Sequence, residues 1–418
     1  MLKATFIRLV YIVILFLASL VISNIALPGK FGILSMLILN ASLLLIITGF
    51  GVDSIALFKV SNNQWNISQA HRFIWKGIVL QAILFGLLEL AALLIFHKTL
   101  LSNATPDYFF VDVSYFLGLA IVDKYVALYY SQHQSSKLNI ILASVAFLYL
   151  LLLLLCYYVV EVEWRYVLYL FGLQNVVQAL ALIVGFTPIH NEKSKLSNNE
   201  FFRALKMSSI VMVTNVIQLL AYRVDFWMIS FFYGNYDVGI YAQANKFANF
   251  AWVIPNILSQ ILIPRFATMK KEESSDVISA AFILNFFLVL LTFFFAHFFY
   301  FFYLDRKYRE GLNAFHLMLP GYFFWGTVIY FGNYFSAKGK FLYNLLASSL
   351  CFVLIIIIDL TLIPRYGISG AAVANSITYF TVFIFYIVIL VRKSSFMLND
   401  LLVPRRKSLL NIFKLVIR

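Results

Sequence analysis

The 418-residue sequence is poor in cysteine and in charged residues. Its two cysteines, Cys156 and Cys351, lie in apolar runs without histidine or cysteine neighbours at metal-ligand spacing, which excludes a disulfide framework and argues against a metal site. Asp, Glu, Lys and Arg together make up 12% of the chain, about half of the share in soluble domains. A soluble enzyme, a secreted disulfide-rich scaffold and a disordered chain are therefore excluded.

Apolar residues, in contrast, are abundant. They make up 62% of the chain, aromatic residues make up 18%, and the apolar residues form long blocks separated by short polar breaks. This composition is typical of an all-α polytopic membrane protein. The formal net charge is +14, but the basic residues lie between apolar runs, so membrane topology explains them better than nucleic-acid binding does. No cofactor and no metal ion are predicted.

Twelve membrane-spanning helices are predicted, because a span needs about 20 mostly apolar residues to cross about 30 Å of hydrocarbon. Continuous apolar runs favour helices over the alternating pattern of a barrel. The first run follows Lys3 and Arg8 as in a signal peptide, but it is long and no small-residue cleavage site precedes Pro28, so it is interpreted as a helix. The helices are expected at about residues 6–27, 31–52, 73–96, 108–131, 138–160, 164–186, 207–233, 237–263, 277–303, 311–336, 341–362 and 369–391.

The distribution of basic residues predicts the orientation. Most of the 32 Lys and Arg residues fall at the N-terminus, in the even-numbered loops and in the tail, whereas few lie on the opposite side. Because basic residues concentrate on the cytoplasmic side, both termini are expected there. The tail at Leu401–Arg418 mixes bases with apolar residues; an interfacial helix and a plain positive anchor explain it equally well.

The longest internal polar stretch, Thr187–Lys206, lies near the middle of the chain. Within it Ser197 and Glu200 have the spacing of a capping box, which predicts the start of the seventh helix. The predicted organisation is an N-terminal six-helix lobe at 1–186, a cytoplasmic linker at 187–206, a C-terminal six-helix lobe at 207–392 and a basic cytoplasmic tail at 393–418.

A short internal repeat supports this division into two lobes. The sequence Lys-Phe-Gly-Ile with Gly32 opens the second helix, and Asp-Val-Gly-Ile with Gly239 opens the eighth. Because each lobe has an even number of helices, both lobes enter the membrane from the same face. A parallel pseudo-two-fold repeat is therefore expected, with a seam that a substrate could reach alternately from either side.

Charged side chains inside the seventh and eighth helices indicate a functional region. Arg223 and Lys246 lie about 12 and about 11 residues from the turn near Asn235, which places both roughly 17 Å from the helix ends. A charge at this depth costs roughly 2.5 to 3.5 kcal/mol on insertion scales, so ionisable residues here are functional by default. Asp225 lies on the polar face of the seventh helix.

Two further polar faces accompany these charges. On the eighth helix an amide stripe interrupted by an indole suits a ligand rich in hydroxyl groups. Its members are Asn245, Asn249, Trp252 and Asn256. On the fourth helix Asp112 and Asp123 share a face, and Lys124 lies about 120° away.

A purely structural interpretation remains open. Arg223 could pair with Asp225, or Asp225 with Lys246, and asparagine ladders also join helices to one another. For Asp123 and Lys124 the two interpretations are nearly equal. Asp53, Glu89 and Asp359 lie toward the ends of spans and are expected at the membrane interface, and no histidine is expected to be a catalyst.

Several segments together resemble a known family. These are Arg223-Val-Asp225, the run from Asp237 to Ala244, Ile263-Pro264-Arg265, Gly49-Phe-Gly51, and the run from Leu362 to Ala372. The sequence is similar to the polysaccharide-transport, or Wzx-type oligosaccharide flippase, family of the multidrug/oligosaccharidyl-lipid/polysaccharide (MOP) exporter superfamily. The similarity covers nearly the whole chain in layout, through degenerate patterns rather than a catalytic signature.

This resemblance implies a non-enzymatic flippase in the bacterial plasma (inner) membrane. Its cargo would be an undecaprenyl-diphosphate-linked oligosaccharide for O-antigen of lipopolysaccharide, capsule or a related glycan, and the glycan polymerase and other assembly proteins are possible partners. The family gives no fixed list of residues. From chemistry, Arg223 and Lys246 would attract the diphosphate and Lys124 would do so more weakly, because phosphate prefers Arg and Lys. Asn245, Asn249, Trp252 and Asn256 would face sugars.

Two rival functions are weighed against this one. A cation-coupled multidrug exporter of the same superfamily usually has an acidic residue in its first helix, whereas residues 4–27 contain neither Asp nor Glu; Asp112 or Asp123 could still be a coupling site. A membrane glycan polymerase or ligase tends to need a large outer loop, and the predicted outer segments are short. A lipid II flippase of the same superfamily typically has fourteen spans, so the twelve spans predicted here argue against that function.

Overall fold

The computed structural model describes residues 2–62, 64–160, 162–187, 197–394 and 396–402. This part of the chain is almost entirely helical and contains no β-strand. Within these described ranges twelve α-helices follow one another, with short 3-10 turns at Pro106–Tyr108 and Arg306–Gly311 and a π-helical turn at Cys156–Val160. The helices are α1 Leu2–Gly49, α2 Val52–Ser61, α3 Ile67–Phe96, α4 Phe109–Ser131, α5 Ser135–Leu155, α6 Trp164–Gly185, α7 Asn198–Tyr233, α8 Asn235–Thr268, α9 Lys271–Phe302, α10 Leu312–Ala337, α11 Phe341–Ser394 and α12 Leu398–Leu402.

Seven of the described helices are long and apolar enough to cross a membrane. They are α1, α3, α5 with the following π-turn, α6, α7, α9 and α11. Their large apolar side chains are often exposed, as for Val184 at 83% and Phe231 at 82%. Because water would penalise such surfaces and lipid would not, the chain is a multi-pass membrane protein.

Two of these helices contain a backbone break beside a proline. In α1, Leu27 has φ 57° and ψ 170° immediately before Pro28. Proline disfavours the helical conformation of the residue before it and has no N–H to donate, so the helix is interrupted here. In α11 the break is at Gly367, with φ 56° and ψ −136°, three residues after Pro364.

The chain divides into two compact units, Met1–Leu219 and Leu220–Arg418. The first unit is built around the packing of α4 on α6 and of α1 on α5. In the second, α10 is central, because it packs against α8, α9 and α11. The division falls inside α7, so that the first part of this helix belongs to the first unit and the last part to the second.

The predicted start of the seventh helix is confirmed. The Ser197 hydroxyl accepts a hydrogen bond from the Glu200 amide at 3.2 Å, and the Glu200 carboxylate accepts one from the Ser197 amide at 3.1 Å. This is the reciprocal pattern of a capping box, and α7 begins at Asn198. Residues 188–196 of the predicted linker and the tail from residue 403 onward lie outside the described residues. The last part of the predicted linker, from Asn198 onward, is helical and forms the first turns of α7.

Candidate functional site

In the second unit, Arg223 belongs to a hydrogen-bonded group that joins three helices. Its Nη1 donates to Asn245 Oδ1 at 2.7 Å, and Asn249 Nδ2 donates to the same oxygen at 2.7 Å. The Asn245 amide nitrogen in turn donates to the Tyr322 hydroxyl at 2.9 Å. The predicted residues Arg223, Asn245 and Asn249 are thus brought together. Since a guanidinium group has five N–H donors and Asn245 occupies one, Arg223 retains donors for an anionic ligand.

Asp225 is separate from this group and is almost completely buried, at 1% exposure. Its carboxylate accepts hydrogen bonds from the Tyr241 hydroxyl, from Asn375 Nδ2 at 3.0 Å and from the Phe226 amide at 2.9 Å. It forms no salt bridge with Arg223 or Lys246 within the described part of the second unit. Asp225 therefore joins α7 to α8 through the hydrogen bond from Tyr241 and not through a direct ion pair.

A second buried carboxylate, Asp359, lies near Asp225. It is fully enclosed, and neither of its oxygens has a hydrogen-bond partner among the described residues. Asp359 is close enough for its charge and that of Asp225 to repel each other. Asn375 Oδ1 and Thr378 Oγ1 are further buried acceptors without partners in the described part of the chain. Because two buried negative charges are costly without compensation, this arrangement can take up a proton or a small cation.

Aromatic side chains form a wall beside the Arg223 group. Trp252 stacks on Tyr322 with ring centroids 4.0 Å apart, and its Nε1 donates to the Tyr322 carbonyl at 2.9 Å. Tyr379 lies 4.7 Å from Trp325 between ring centroids, and Tyr222 lies 5.4 Å from Trp325. Sequence reasoning found Trp252 but missed its partners on α10 and α11, because apolar runs rich in Phe and Tyr carry no signal that distinguishes them.

The other two predicted residues of α8 lie at the margins of this group. Asn256 is exposed and donates to the Trp252 carbonyl at 2.9 Å, the backbone group one helical turn earlier. Lys246 is partly buried and follows Asn245 directly in the helix.

In the first unit, Lys124 and Asp123 form an ion pair of 4.0 Å, in which Lys124 is 1% and Asp123 is 55% exposed. A Cβ atom added at Gly49 would lie 3.3 Å from Lys124 Nζ and 3.4 Å from Gln81 Nε2. The buried ammonium group therefore lies against the C-terminal end of α1, where the helix dipole favours a positive charge. Gln81 donates to the Leu45 carbonyl at 3.1 Å and so holds this end of α1.

Asp123 also lines a cavity of about 440 Å³ within the first unit. Its charged and polar lining includes Arg8, Tyr11, Asp53 and Asn215. Arg8 Nη1 is buried without a hydrogen-bond partner among the described residues, and its guanidinium group lies 5.2 Å from the Tyr11 ring centroid. No sequence pattern singled out Arg8, which looked like an ordinary basic residue before the first span.

Asp112 and Glu89 support the loop between α3 and α4. Asp112 accepts hydrogen bonds from the amides of Leu101 at 3.1 Å and Ser102 at 3.0 Å, and Glu89 accepts one from the Leu100 amide at 3.0 Å. Both carboxylates are buried, and so is Asp359. Glu89 and Asp359 thus lie on enclosed faces of their helices. The expectation that both lie at the depth of the membrane interface stays a prediction, because hydropathy predicts depth along a helix and not which face is enclosed.

Comparisons with known proteins show which family the sequence matches and which solved structures the chain is similar to. A family model described as polysaccharide biosynthesis protein matches residues 2–270. No curated protein sequence matches. Among solved structures, the chain is similar to the lipid II flippase MurJ in an inward closed conformation, with a TM-score of 0.72 and 14% identity over 100% of this chain and 91% of that one.

Two MATE transporters have the same fold. An inward-facing multidrug resistance MATE family transporter of the MOP superfamily gives a TM-score of 0.68 with 11% identity, covering 91% of this chain and 94% of that one. The Vibrio cholerae MATE transporter VcmN in its bent form gives 0.57 with 16% identity, covering 93% of this chain and 96% of that one. At such identities the likeness concerns the fold, and neither the family nor the fold is that of an enzyme. The chain belongs to the polysaccharide biosynthesis protein family and has the fold of the flippases and transporters of the MOP superfamily.

Proposed function

We propose that the chain is a flippase that moves an undecaprenyl-diphosphate-linked oligosaccharide from the cytoplasmic to the outer face of the bacterial inner membrane. The observation that carries this proposal is the bond from Arg223 to Asn245, because it places a cation beside amides and aromatic rings inside an apolar helical protein. A diphosphate prefers a guanidinium group, and sugar hydroxyls prefer amides and ring faces. Membership of a polysaccharide biosynthesis family supports this cargo, and the glycan would belong to O-antigen, capsule or a related polymer.

The proposed topology has twelve crossings with both termini in the cytoplasm. The breaks at Leu27 and Gly367 divide α1 and α11, of 48 and 54 residues, into segments each long enough for one crossing. The five other apolar helices and α4, α8 and α10 complete twelve. We assign them to lobes at 1–186 and 207–392, related by a parallel repeat, with a basic tail at 393–418. The lobes are joined by a cytoplasmic linker at 187–206, whose last residues, from Asn198 onward, are the first turns of α7.

The residue roles follow from the chemistry of each group. Arg223 and Lys246 attract the diphosphate, and Lys124 contributes more weakly. Asn249 and Asn256 face sugar hydroxyls. Asn245, whose buried amide bonds Arg223, Asn249 and Tyr322, positions Arg223 for the ligand. Trp252 contributes through the edge of its stack with Tyr322, because one face of the indole is already covered. Asp225 has a different role, since its oxygens are used by Tyr241 and Asn375 within the protein.

Carboxylates in two places can bind the proton or cation whose uptake would be coupled to transport. Asp123 is half-exposed, lines the cavity of the first unit and pairs with the buried Lys124, so a proton or cation taken up by Asp123 from the cavity would change the charge balance of this pair. In the second unit, the pair Asp225 and Asp359 can take up a cation. Asp112, whose Oδ2 is occupied by loop amides, is assigned to loop structure instead.

The second candidate function is a cation-coupled multidrug exporter. The buried carboxylates Asp225 and Asp359 favour it, because exchange of a cation for a drug needs a site of this charge. The glycan flippase is preferred because the family is one of polysaccharide biosynthesis. A glycan polymerase acting next in the same pathway would be the natural partner of the flippase.

The deciding experiment deletes the gene in its native host and locates lipid-linked oligosaccharides with a membrane-impermeant glycan-modifying reagent. Right-side-out and inverted vesicles are compared. Complete repeat units accessible only on the cytoplasmic face support the flippase. Unpolymerised units at the outer face contradict it and indicate a polymerase, and unchanged glycan lipids favour the drug exporter.

A further inference from the structure

Two histidines outside the transport residues meet across adjacent helices. His297 near the end of α9 and His316 near the start of α10 approach each other with their Nε2 atoms 3.1 Å apart. Their rings are nearly parallel, with an interplanar angle of 13° and centroids 5.0 Å apart. Both lie within about three helical turns of the 3-10 turn Arg306–Gly311 that connects their helices.

The hydrogen bonds of His297 determine which of its nitrogens has a lone pair. Its Nδ1 lies 2.8 Å from the Phe293 carbonyl, and a carbonyl oxygen can only accept, so Nδ1 carries a proton. In the neutral ring Nε2 then has a lone pair. The 3.1 Å contact requires that His316 Nε2 donate to this lone pair, because two acceptors would repel each other.

We propose that His297 and His316 together chelate a divalent transition-metal ion of the Zn²⁺, Ni²⁺ and Cu²⁺ class. Imidazole nitrogen suits these ions, and Zn–N bonds are about 2.0–2.1 Å long. If an ion lies at that distance from both nitrogens, which are 3.1 Å apart, the N–metal–N angle is roughly 100°. This angle lies between the square-planar and tetrahedral values. The existing separation therefore fits chelation with little movement of either ring.

The backbone contact of His297 supports this inference independently of the distance. Metal-binding histidines usually donate their other N–H to a carbonyl or carboxylate, which fixes the ring and its tautomer, and the bond from Nδ1 to Phe293 is of this kind. His316 is exposed, so the remaining coordination positions are accessible to water. Arg309, in the turn between the two helices, is held away from the pair, because it packs on the Phe301 ring at 5.0 Å and bonds backbone carbonyls.

Binding also has a defined proton balance. The metal takes the place of the proton between the two Nε2 atoms. In a neutral His316 ring that proton transfers through water to Nδ1, so no proton is lost from the pair. If His316 is protonated on both nitrogens, one proton is released to solvent for each metal bound. The bound metal ties α9 to α10 and is independent of what the chain transports.

The test uses the purified full-length protein in detergent micelles, titrated calorimetrically with Zn²⁺. We expect one site with a Kd on the order of micromolar. His297→Gln and His316→Gln should each weaken it by at least about tenfold, since each removes one of two protein ligands. Electron paramagnetic resonance of bound Cu²⁺ should show coupling to two nitrogens in the native chain and to one in either variant.

The matched control is His97→Asn, which removes a histidine elsewhere at a position with φ 53° that asparagine tolerates. It should bind Zn²⁺ as the native chain does. Undiminished binding in both glutamine variants would overturn the proposal, as would an equal loss in the control or a Cu²⁺ spectrum without coupling to two nitrogens. None of these readouts depends on transport, so failure of the proposed flippase function would leave them unchanged.

Discussion

The guanidinium group of Arg223 donates a 2.7 Å hydrogen bond to the side-chain oxygen of Asn245. This bond joins α7 to α8 and leaves Asp225, two residues further along α7, to a separate buried group. Arg223 is consequently held by a neutral amide rather than by a direct salt bridge, and its guanidinium group has further N–H donors for a ligand.

Arg223→Ala should reduce export of the glycan at least tenfold, because a phosphate loses a charge-assisted and potentially bidentate partner. Arg223→Lys should recover only part of the activity, since lysine keeps the charge but not the planar fork. The measurement is surface glycan in a deletion strain complemented with each variant, normalised to protein in the membrane. Lys246→Ala should behave like Arg223→Ala.

Arg306→Ala is the control for these variants, because Arg306 lies in an exposed turn between α9 and α10. It should be nearly silent. Equal and mild effects of all three alanine substitutions would contradict the assignment of Arg223 and Lys246 to the diphosphate.

Asp359→Asn and Asp225→Asn should change stability in opposite directions. Asp359 has no hydrogen-bond partner among the described residues and lies near a like charge, so the neutral amide should raise the melting temperature. Asp225→Asn weakens bonds to Tyr241 and Asn375 and should cost about 1–3 kcal/mol. Thermal unfolding in detergent measures both effects.

A transport measurement distinguishes a role of Asp359 in coupling from an effect of Asp359 on the stability of the fold alone. If a cation is taken up between the two carboxylates, Asp359→Asn should lower transport several-fold although it stabilises the fold. Thr381→Val in the same helix, which removes a partly exposed hydroxyl that bonds the Ile377 carbonyl of its own helix, should leave transport unchanged. A stabilised Asp359→Asn variant with normal transport would exclude the cation role.

Gly118→Ala should destabilise the first unit. An added Cβ would lie 2.6 Å from the backbone carbon of Asn175, and backbone cannot move aside as a flexible side chain does, so α4 and α6 must separate. The expected cost is about 1–3 kcal/mol. The control is Gly86→Ala in α3, where nothing lies within 4 Å and the helix should gain up to about 1 kcal/mol.

The sequence was sufficient for features that depend on local spacing. Hydropathy indicated the long apolar helices, and the spacing of Ser197 and Glu200 predicted the start of α7. The depth estimate placed Arg223 level with Lys246, which directly follows the actual partner of Arg223, Asn245. Each of these depends on residues close in the chain or on one short hairpin.

Contacts between distant helices could not be derived in this way. Tyr322 and Asn375 bind Asn245 and Asp225 from α10 and α11, and an apolar run does not reveal which of its polar residues is turned inward. The sequence suggested charged partners for Asp225 for the same reason, because Asn375, one of the neutral partners that bind its carboxylate, is far away in sequence.

The backbone strain at Leu27 can be tested by comparing the stability of glycine and alanine variants at positions 27 and 86, where opposite orders of stability are expected. Its φ of 57° and ψ of 170° lie in a region that glycine adopts far more readily than other residues. Leu27→Gly and Leu27→Ala remove nearly the same side-chain contacts, but only glycine relieves the strain, so the glycine variant should be more stable than the alanine variant by about 1–3 kcal/mol. At position 86, inside a regular helix, alanine should be the more stable of the two. The measurement is the thermal unfolding of the glycine and alanine proteins at positions 27 and 86. If alanine is the more stable residue at position 27 as well as at position 86, the backbone before Pro28 is not strained, and α1 is divided by the missing proline N–H alone.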